Sequence, residues 1–191
     1  MQTEMPRYWA QSRPLAPISR KQFEKMVEIG IWGPQDKVEL LNGMMVQMSP
    51  QGKLHAFVVS RLDRLLQRLC GNDAEVGTQL PFSTSEFDLP EPDLVIIPGR
   101  RSRDSHPSRA LLVVEVADSS LQEDRTTKAA LYSAANVPEY WVVDVKNQLV
   151  EVMSQPLGDH YGDCHVARRG QQIDLLGLPG QSVQVEDIFA D

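Results

Sequence analysis

A chain of 191 residues that is 41% hydrophobic and 24% charged suits one compact domain with a sizeable core. Its net charge of −7 argues against a general nucleic-acid coat protein, whose affinity rests on Lys and Arg neutralising phosphates. It does not exclude a nuclease, because acidic groups gathered at a metal site are offset by the ion. Cys70 and Cys164 show no metal-ligand spacing, and no secretory signal or long apolar span precedes them, so a reducing cytoplasm is the expected compartment.

Residues 1–17 hold Pro6, Pro14 and Pro17 with little periodicity and read as an extended arm, so the folded domain is expected over 18–191. Ser19 can cap a helix that runs through Glu28, with Gly30 and Gly33 ending it. Asn42-Gly43, flanked by Lys37 to Leu41 and Met44 to Met48, is a strong hairpin signal because both residues tolerate positive φ. From Lys53 to Cys70 the residues Phe57, Val58, Leu62, Leu65, Leu66 and Leu69 recur at helical spacing, and Gly71 stops the run. Three strand-like runs follow, Ala74 to Phe82, Asp93 to Ile97 and Leu111 to Val116, before a second helix from about Glu123 to Ala135. Glu139 to Val145 and Leu149 to Met153 form a closing hairpin, and Val183 to Phe189 a last short element after a glycine-containing tail. No internal repeat or linker interrupts this order.

Helix, three strands, helix and strand make an α/β pattern around a single central sheet, preceded by an N-terminal helix and β-hairpin. The stretch from Glu115 to Tyr140 is long enough for a parallel crossover, which should be right-handed.

Three polar residues stand out against apolar surroundings. Asp93 precedes Leu94-Val95-Ile96-Ile97, and Glu115 interrupts Leu111-Leu112-Val113-Val114 and Val116. An ionised carboxyl buried without a partner costs several kcal/mol, so such groups neutralise, pair with a cation or bind a metal. Alternation puts Asp93 on one face with Val95 and Ile97, and Glu115 on one face with Val113 and Leu111, so the two converge if their strands are neighbours. The plainer reading makes each a strand-end residue in solvent or in a structural ion pair. Lys128 falls on one helical stripe with Asp124, Leu131, Tyr132 and Ala135, opposite Glu123, Thr126, Thr127 and Ser133, so the lysine should face the sheet. Its plainer reading is a surface pair with Asp124 at i,i+4, worth only about 0.3–0.5 kcal/mol. Two hard carboxylates that leave room for water and phosphate suit Mg²⁺, and a nearby ammonium suits phosphodiester chemistry.

The segments Val38-Glu39-Leu40-Leu41-Asn42-Gly43, Pro92-Asp93, Val113-Val114-Glu115-Val116, Asp124-Arg125 with Lys128, and Val137-Pro138-Glu139-Tyr140-Trp141-Val142-Val143-Asp144 together resemble the Uma-type family of restriction endonucleases, within the PD-(D/E)XK nuclease superfamily. The resemblance spans about Ser19 to Tyr161. It implies a restriction-endonuclease-like core, a central mixed β-sheet flanked by helices. It implies Asp93 and Glu115 as Mg²⁺ ligands, with Mn²⁺ as a substitute, helped by the Val116 carbonyl, and Glu39 joining directly or through water. The superfamily's usual lysine, two residues after the glutamate, is Ala117 here, and Lys128 would supply that charge from the helix. The implied reaction is in-line hydrolysis of DNA, leaving 5′-phosphate and 3′-hydroxyl ends; because cutting both strands takes two sites, a homodimer is expected.

His55, at the start of the long helix, could meet a phosphate or a site carboxylate, or simply be a satisfied helix-end histidine. Arg61, Arg64 and Arg68 make a basic stripe that is more simply a solvated helix face. Arg100, Arg101, Arg103 and Arg109 follow the strand that Asp93 opens and are the better candidates for the DNA backbone. Two other readings stay open: a catalytically silent module of the same fold that binds nucleic acid or protein, and a phosphodiesterase directed at RNA or at a particular nucleic-acid structure.

Overall fold

The computed structural model describes residues 16–33 and 35–190, so the expected N-terminal arm lies almost wholly outside the described residues. Local signals decide the first elements. Ser19 caps α1 (Arg20–Glu28): its hydroxyl accepts from the Gln22 N–H while the Gln22 side chain accepts from the Ser19 N–H. β1 (Val38–Leu41) and β2 (Met44–Gln47) pair antiparallel across Asn42 and Gly43, whose φ values are +52° and +70°. Gly43 also lies so close to Pro17 that a Cβ there would come within 2.5 Å of the proline Cβ. α2 (Lys53–Cys70) ends at Gly71, where φ is +58°.

The core is a six-stranded sheet whose spatial order follows the chain: β3 (Ala74–Thr78), β4 (Leu94–Pro98), β5 (Leu112–Ala117), β6 (Glu139–Asp144), β7 (Leu149–Pro156) and β8 (Tyr161–Arg168). β5 and β6 run parallel and every other neighbouring pair antiparallel, so the sheet is mixed. The β5–β6 crossover carries α3 (Leu121–Glu123), a π-helical turn (Asp124–Lys128) and α4 (Ala129–Ala134) in one continuous rod. Strand alternation divides the apolar side chains between two layers. Leu94, Ile96, Leu112, Val114, Val116, Trp141 and Val143 pack with α2 and the C-terminal tail. Val95, Ile97, Val113, Ala117, Tyr140 and Val142 pack with Leu131, Tyr132, Leu41 and Phe82. Among the described residues no helix is long and apolar enough to cross a membrane.

Several expectations need correction. β8 and β9 (Gln172–Asp174) stand where only tail loops were expected; β9 pairs with β10 (Ser182–Gln184), which leads into α5 (Val185–Phe189). β8 is an edge strand exposed from Gly162 to Val166, so it lacks the apolar alternation that marks a half-buried strand. The strand expected to reach Phe82 stops at Thr78, because Gln79 turns to a φ of +49°. Leu111 precedes β5 and packs in the α2 layer, not beside Glu115, since alternation holds only inside the strand. Ser133, expected on the outer side, is buried and donates to the His160 carbonyl at 2.6 Å, because the β7–β8 turn covers that side of α4.

Candidate metal centre

The β4–β5 ladder pairs Leu94 with Val114, so one step further along it sets Asp93, just before β4, level with Glu115 in β5. Both side chains face the α3–α4 layer, and Asp93 Oδ2 accepts from the Val116 N–H at 2.8 Å. The carboxylates therefore converge at one end of two adjacent central strands. His55, from the first turn of α2 in the opposite layer, brings Nε2 to 3.1 Å from the same Asp93 oxygen. Its Nδ1 is buried and, among the described residues, has no hydrogen-bond partner.

Lys128 arrives from the other side. Asp124 and Lys128, at the two ends of the π turn, both face inward at 1% and 7% exposure, as their shared helical stripe predicts. Tyr140 braces the turn by donating its hydroxyl to the Asp124 carbonyl at 3.0 Å, and Arg125 pairs with Glu151 of β7. Lys128 Nζ donates to Glu115 Oε1 at 3.0 Å and lies 3.4 Å from Glu39 Oε1. The surface i,i+4 pair with Asp124 is not what forms: Asp124 instead accepts from the Ser120 hydroxyl at 2.6 Å.

Charge in this cleft is unbalanced. Its volume is about 80 Å³, and its lining includes Glu39, Glu91, Asp93, Glu115, Asp118, Glu123 and Asp124 against Lys128 and His55. Burial pushes the Glu115 carboxyl well above its usual range; Lys128 pulls it back, while Asp124, Asp93 and Glu39 add repulsion. Burial also works against a charged lysine, but Glu115, Glu39 and Asp124 outweigh it and hold the Lys128 ammonium above its ordinary value. Asp124 is pushed up to about 6, mainly by burial, despite the Ser120 hydroxyl and Lys128. For His55, burial favours the neutral ring, yet Asp93, with Asp118 and Asp124 behind it, raises the imidazole above its ordinary value.

The residues fit a hard divalent cation. Asp93 and Glu115 each have one oxygen engaged by two donors, and among the described residues their other oxygens accept no hydrogen bond. Among the described residues no group of three or more His, Cys, Asp or Glu side chains is placed to hold a metal ion, so the protein itself offers the Asp93–Glu115 pair and no third side-chain ligand. An open pair of carboxylates in an anionic cleft is how Mg²⁺ is commonly held, with water and substrate phosphate completing the shell.

The structure thus brings together Asp93, Glu115, Lys128, Glu39, His55 and the Val116 backbone. It leaves Arg100, Arg101 and Arg103 elsewhere: they follow the far end of β4, five residues and roughly 17 Å of strand from Asp93. Arg101 is tied to Glu75 at 3.1 Å. Ala117, where the superfamily lysine would stand, is buried in the apolar layer facing α4. Sequence reasoning missed Tyr132 as a site residue: its hydroxyl donates to Glu115 Oε1 at 2.8 Å. Its place on the Lys128 stripe was the available signal. Asp124, on the same stripe, was visible too, whereas Glu91 enters the cleft from a loop and carried none.

Comparison with known proteins agrees with this architecture. The crystal structure of a "putative nuclease belonging to DUF820" from Anabaena variabilis ATCC 29413 is similar over 91% of this chain and 98% of its own, with a TM-score of 0.72 at 16% identity. At that identity the likeness shows the fold. No curated protein matches the sequence. The sequence profile of the Uma2 family, described as "Putative restriction endonuclease", matches residues 21–186. With nearly its whole length so matched, the chain belongs to the Uma2 family.

Proposed function

We propose that this protein is a Mg²⁺-dependent DNA endonuclease that hydrolyses phosphodiester bonds at the cleft between β4, β5 and the π turn. One observation carries the reading: Asp93 and Glu115 meet at the same end of adjacent buried strands, with Lys128 donating to Glu115 at 3.0 Å. Family membership supports a nuclease, and the fold-level likeness adds a prior only.

In this reading Asp93, Glu115 and the Val116 carbonyl hold the cation, and Glu39 acts on it through Lys128 or a water. The bound ion would polarise the scissile phosphate and acidify a water. Lys128, kept protonated by Glu115, Glu39 and Asp124, serves as a hydrogen-bond donor and positive charge for phosphoryl oxygens, and not as a proton acceptor. His55 holds Asp93 in place through Nε2. Arg100, Arg101 and Arg103 would meet the DNA backbone only away from the cleft. Cutting both strands would take two copies, hence a homodimer, and a reducing cytoplasm suits the two free cysteines.

The silent binding module has one observation in its favour. Lys128 and His55 already pair the two site carboxylates internally, so Glu115 and Asp93 each have a counter-charge before any ion binds. Calorimetric titration of Mn²⁺, as a Mg²⁺ surrogate, into the wild type and an Asp93→Asn/Glu115→Gln double variant separates the two. Binding lost in the variant supports the enzyme. Absence of binding in both, with nucleic-acid affinity indifferent to divalent ions, supports the module. Cleavage of duplex DNA, single strands and RNA compared under one condition then assigns the substrate.

A further inference from the structure

We propose that Tyr132 is a positioning residue for the metal site, fixing Glu115 so that Oε2, and not Oε1, is presented to the cation. The inference rests on the metal reading above. A glutamate has three side-chain torsions, the last of them broad and two-fold, so an unrestrained carboxylate exchanges its two oxygens freely. At Glu115 two donors converge on one oxygen: Lys128 Nζ at 3.0 Å and the Tyr132 hydroxyl at 2.8 Å. Among the described residues Oε2 accepts nothing.

Lys128 alone is a poor anchor. It is a flexible chain, shared with Glu39 at 3.4 Å. Tyr132 is rigid where it matters. It is fully buried, and its ring is wedged between Phe82 and Tyr140, with centroids 6.4 Å and 5.0 Å away. The ring packing sets the hydroxyl, and the hydroxyl sets the carboxylate. Asp93 shows the same arrangement, with Oδ2 taken by the Val116 N–H and His55. Each carboxylate is therefore clamped by two donors on one oxygen and, among the described residues, leaves the other without a hydrogen-bond partner, a preorganisation that metal sites require of their supporting groups.

The experiment is Mn²⁺ titration by calorimetry, with thermal melting in parallel, on the wild type, Tyr132→Phe and Tyr161→Phe. Tyr161 supplies the control, since it stacks one ring further along and donates to the Val137 carbonyl at 3.1 Å, away from the carboxylates. Y132F should weaken Mn²⁺ binding about 10- to 100-fold, while Y161F binds as the wild type. Replacing Tyr132 by p-aminophenylalanine, which restores a donor on the same ring, should recover most of the affinity. Y132F binding within about threefold of the wild type, with the Asp93→Asn/Glu115→Gln variant unable to bind, would overturn this role and leave the metal reading intact. A melting change in Y132F without an affinity change would do the same, assigning Tyr132 to stability alone. Absence of Mn²⁺ binding in the wild type would remove the metal reading, and this inference with it.

Discussion

Replacing Lys128 by Met removes one ammonium from among three buried carboxylates while keeping most of the side chain's volume. Nζ lies 3.0 Å from Glu115 Oε1 and 3.4 Å from Glu39 Oε1, in a residue only 7% exposed. At an effective dielectric of 20 each contact is worth roughly 5 kcal/mol of Coulomb energy, from which the lysine's own desolvation, several kcal/mol, must be subtracted. Breaking such a pair from one side costs about 3–5 kcal/mol. That corresponds to a melting decrease of roughly 6–20 °C for a domain of this size. The cost must depend on pH. Without Lys128 the carboxyls of Glu115 and Asp124, already pushed up by burial, bind protons more tightly folded than unfolded, so the variant loses stability as pH rises. The wild-type lysine, raised above its ordinary value, stays charged throughout and adds no slope between pH 5 and 8. Urea unfolding in metal-free buffer at the two ends of that window should therefore show the full loss at the alkaline end and less than half of it at the acid end. A loss below about 1 kcal/mol at the alkaline end, or equal losses at both, would refute the account of Lys128 as the counter-charge of this cleft.

Asp124→Asn should stabilise the metal-free protein in alkali but not in acid. A carboxyl raised from 3.8 to about 6 loses up to about 3 kcal/mol as pH climbs through that interval, so the variant's advantage should appear between those values and then level off. His55→Gln has the opposite sign. The Asp93 pair stabilises the protonated ring fully below 6.5 and is lost as pH rises through the higher folded value, so the substitution should cost about 1–2 kcal/mol in acid and less in alkali, read by the same unfolding series. Asp93→Ala should reduce cleavage of whichever nucleic acid proves to be the substrate by more than tenfold; a smaller loss in single-turnover assays would remove Asp93 from the ligand set. Gly43→Ala, forced to a φ of +70° and against Pro17 at 2.5 Å, should lower stability by about 1–3 kcal/mol in thermal melts.

What the residues alone determined about this protein is whatever depends on neighbours in sequence. The Ser19-Gln22 capping box, the Asn42-Gly43 turn and the leucine period of α2 ending at Gly71 are local chemistry, and they stand within a residue or two of where they were expected. Asp93 and Glu115 were legible as buried charges as well, because a charge beside or inside an apolar run is costly wherever the run folds, and Lys128 was legible from its helical stripe. Tertiary structure decided the rest. β8 carries no apolar alternation, since an exposed edge strand is held by its ladder to β7 and not by burial. That the helix opens into a π turn over Asp124–Lys128 was not legible, since the contacts that brace it, Tyr140 and the Arg125–Glu151 pair, come from distant strands. Arg100, Arg101 and Arg103 follow the strand that Asp93 opens yet leave the sheet at its opposite end, a consequence of strand length that adjacency in sequence hides. Which oxygen of Glu115 is clamped, and by whom, depends on where the Tyr132 ring is wedged between Phe82 and Tyr140, a packing contact among residues up to fifty-eight positions apart that no local pattern encodes.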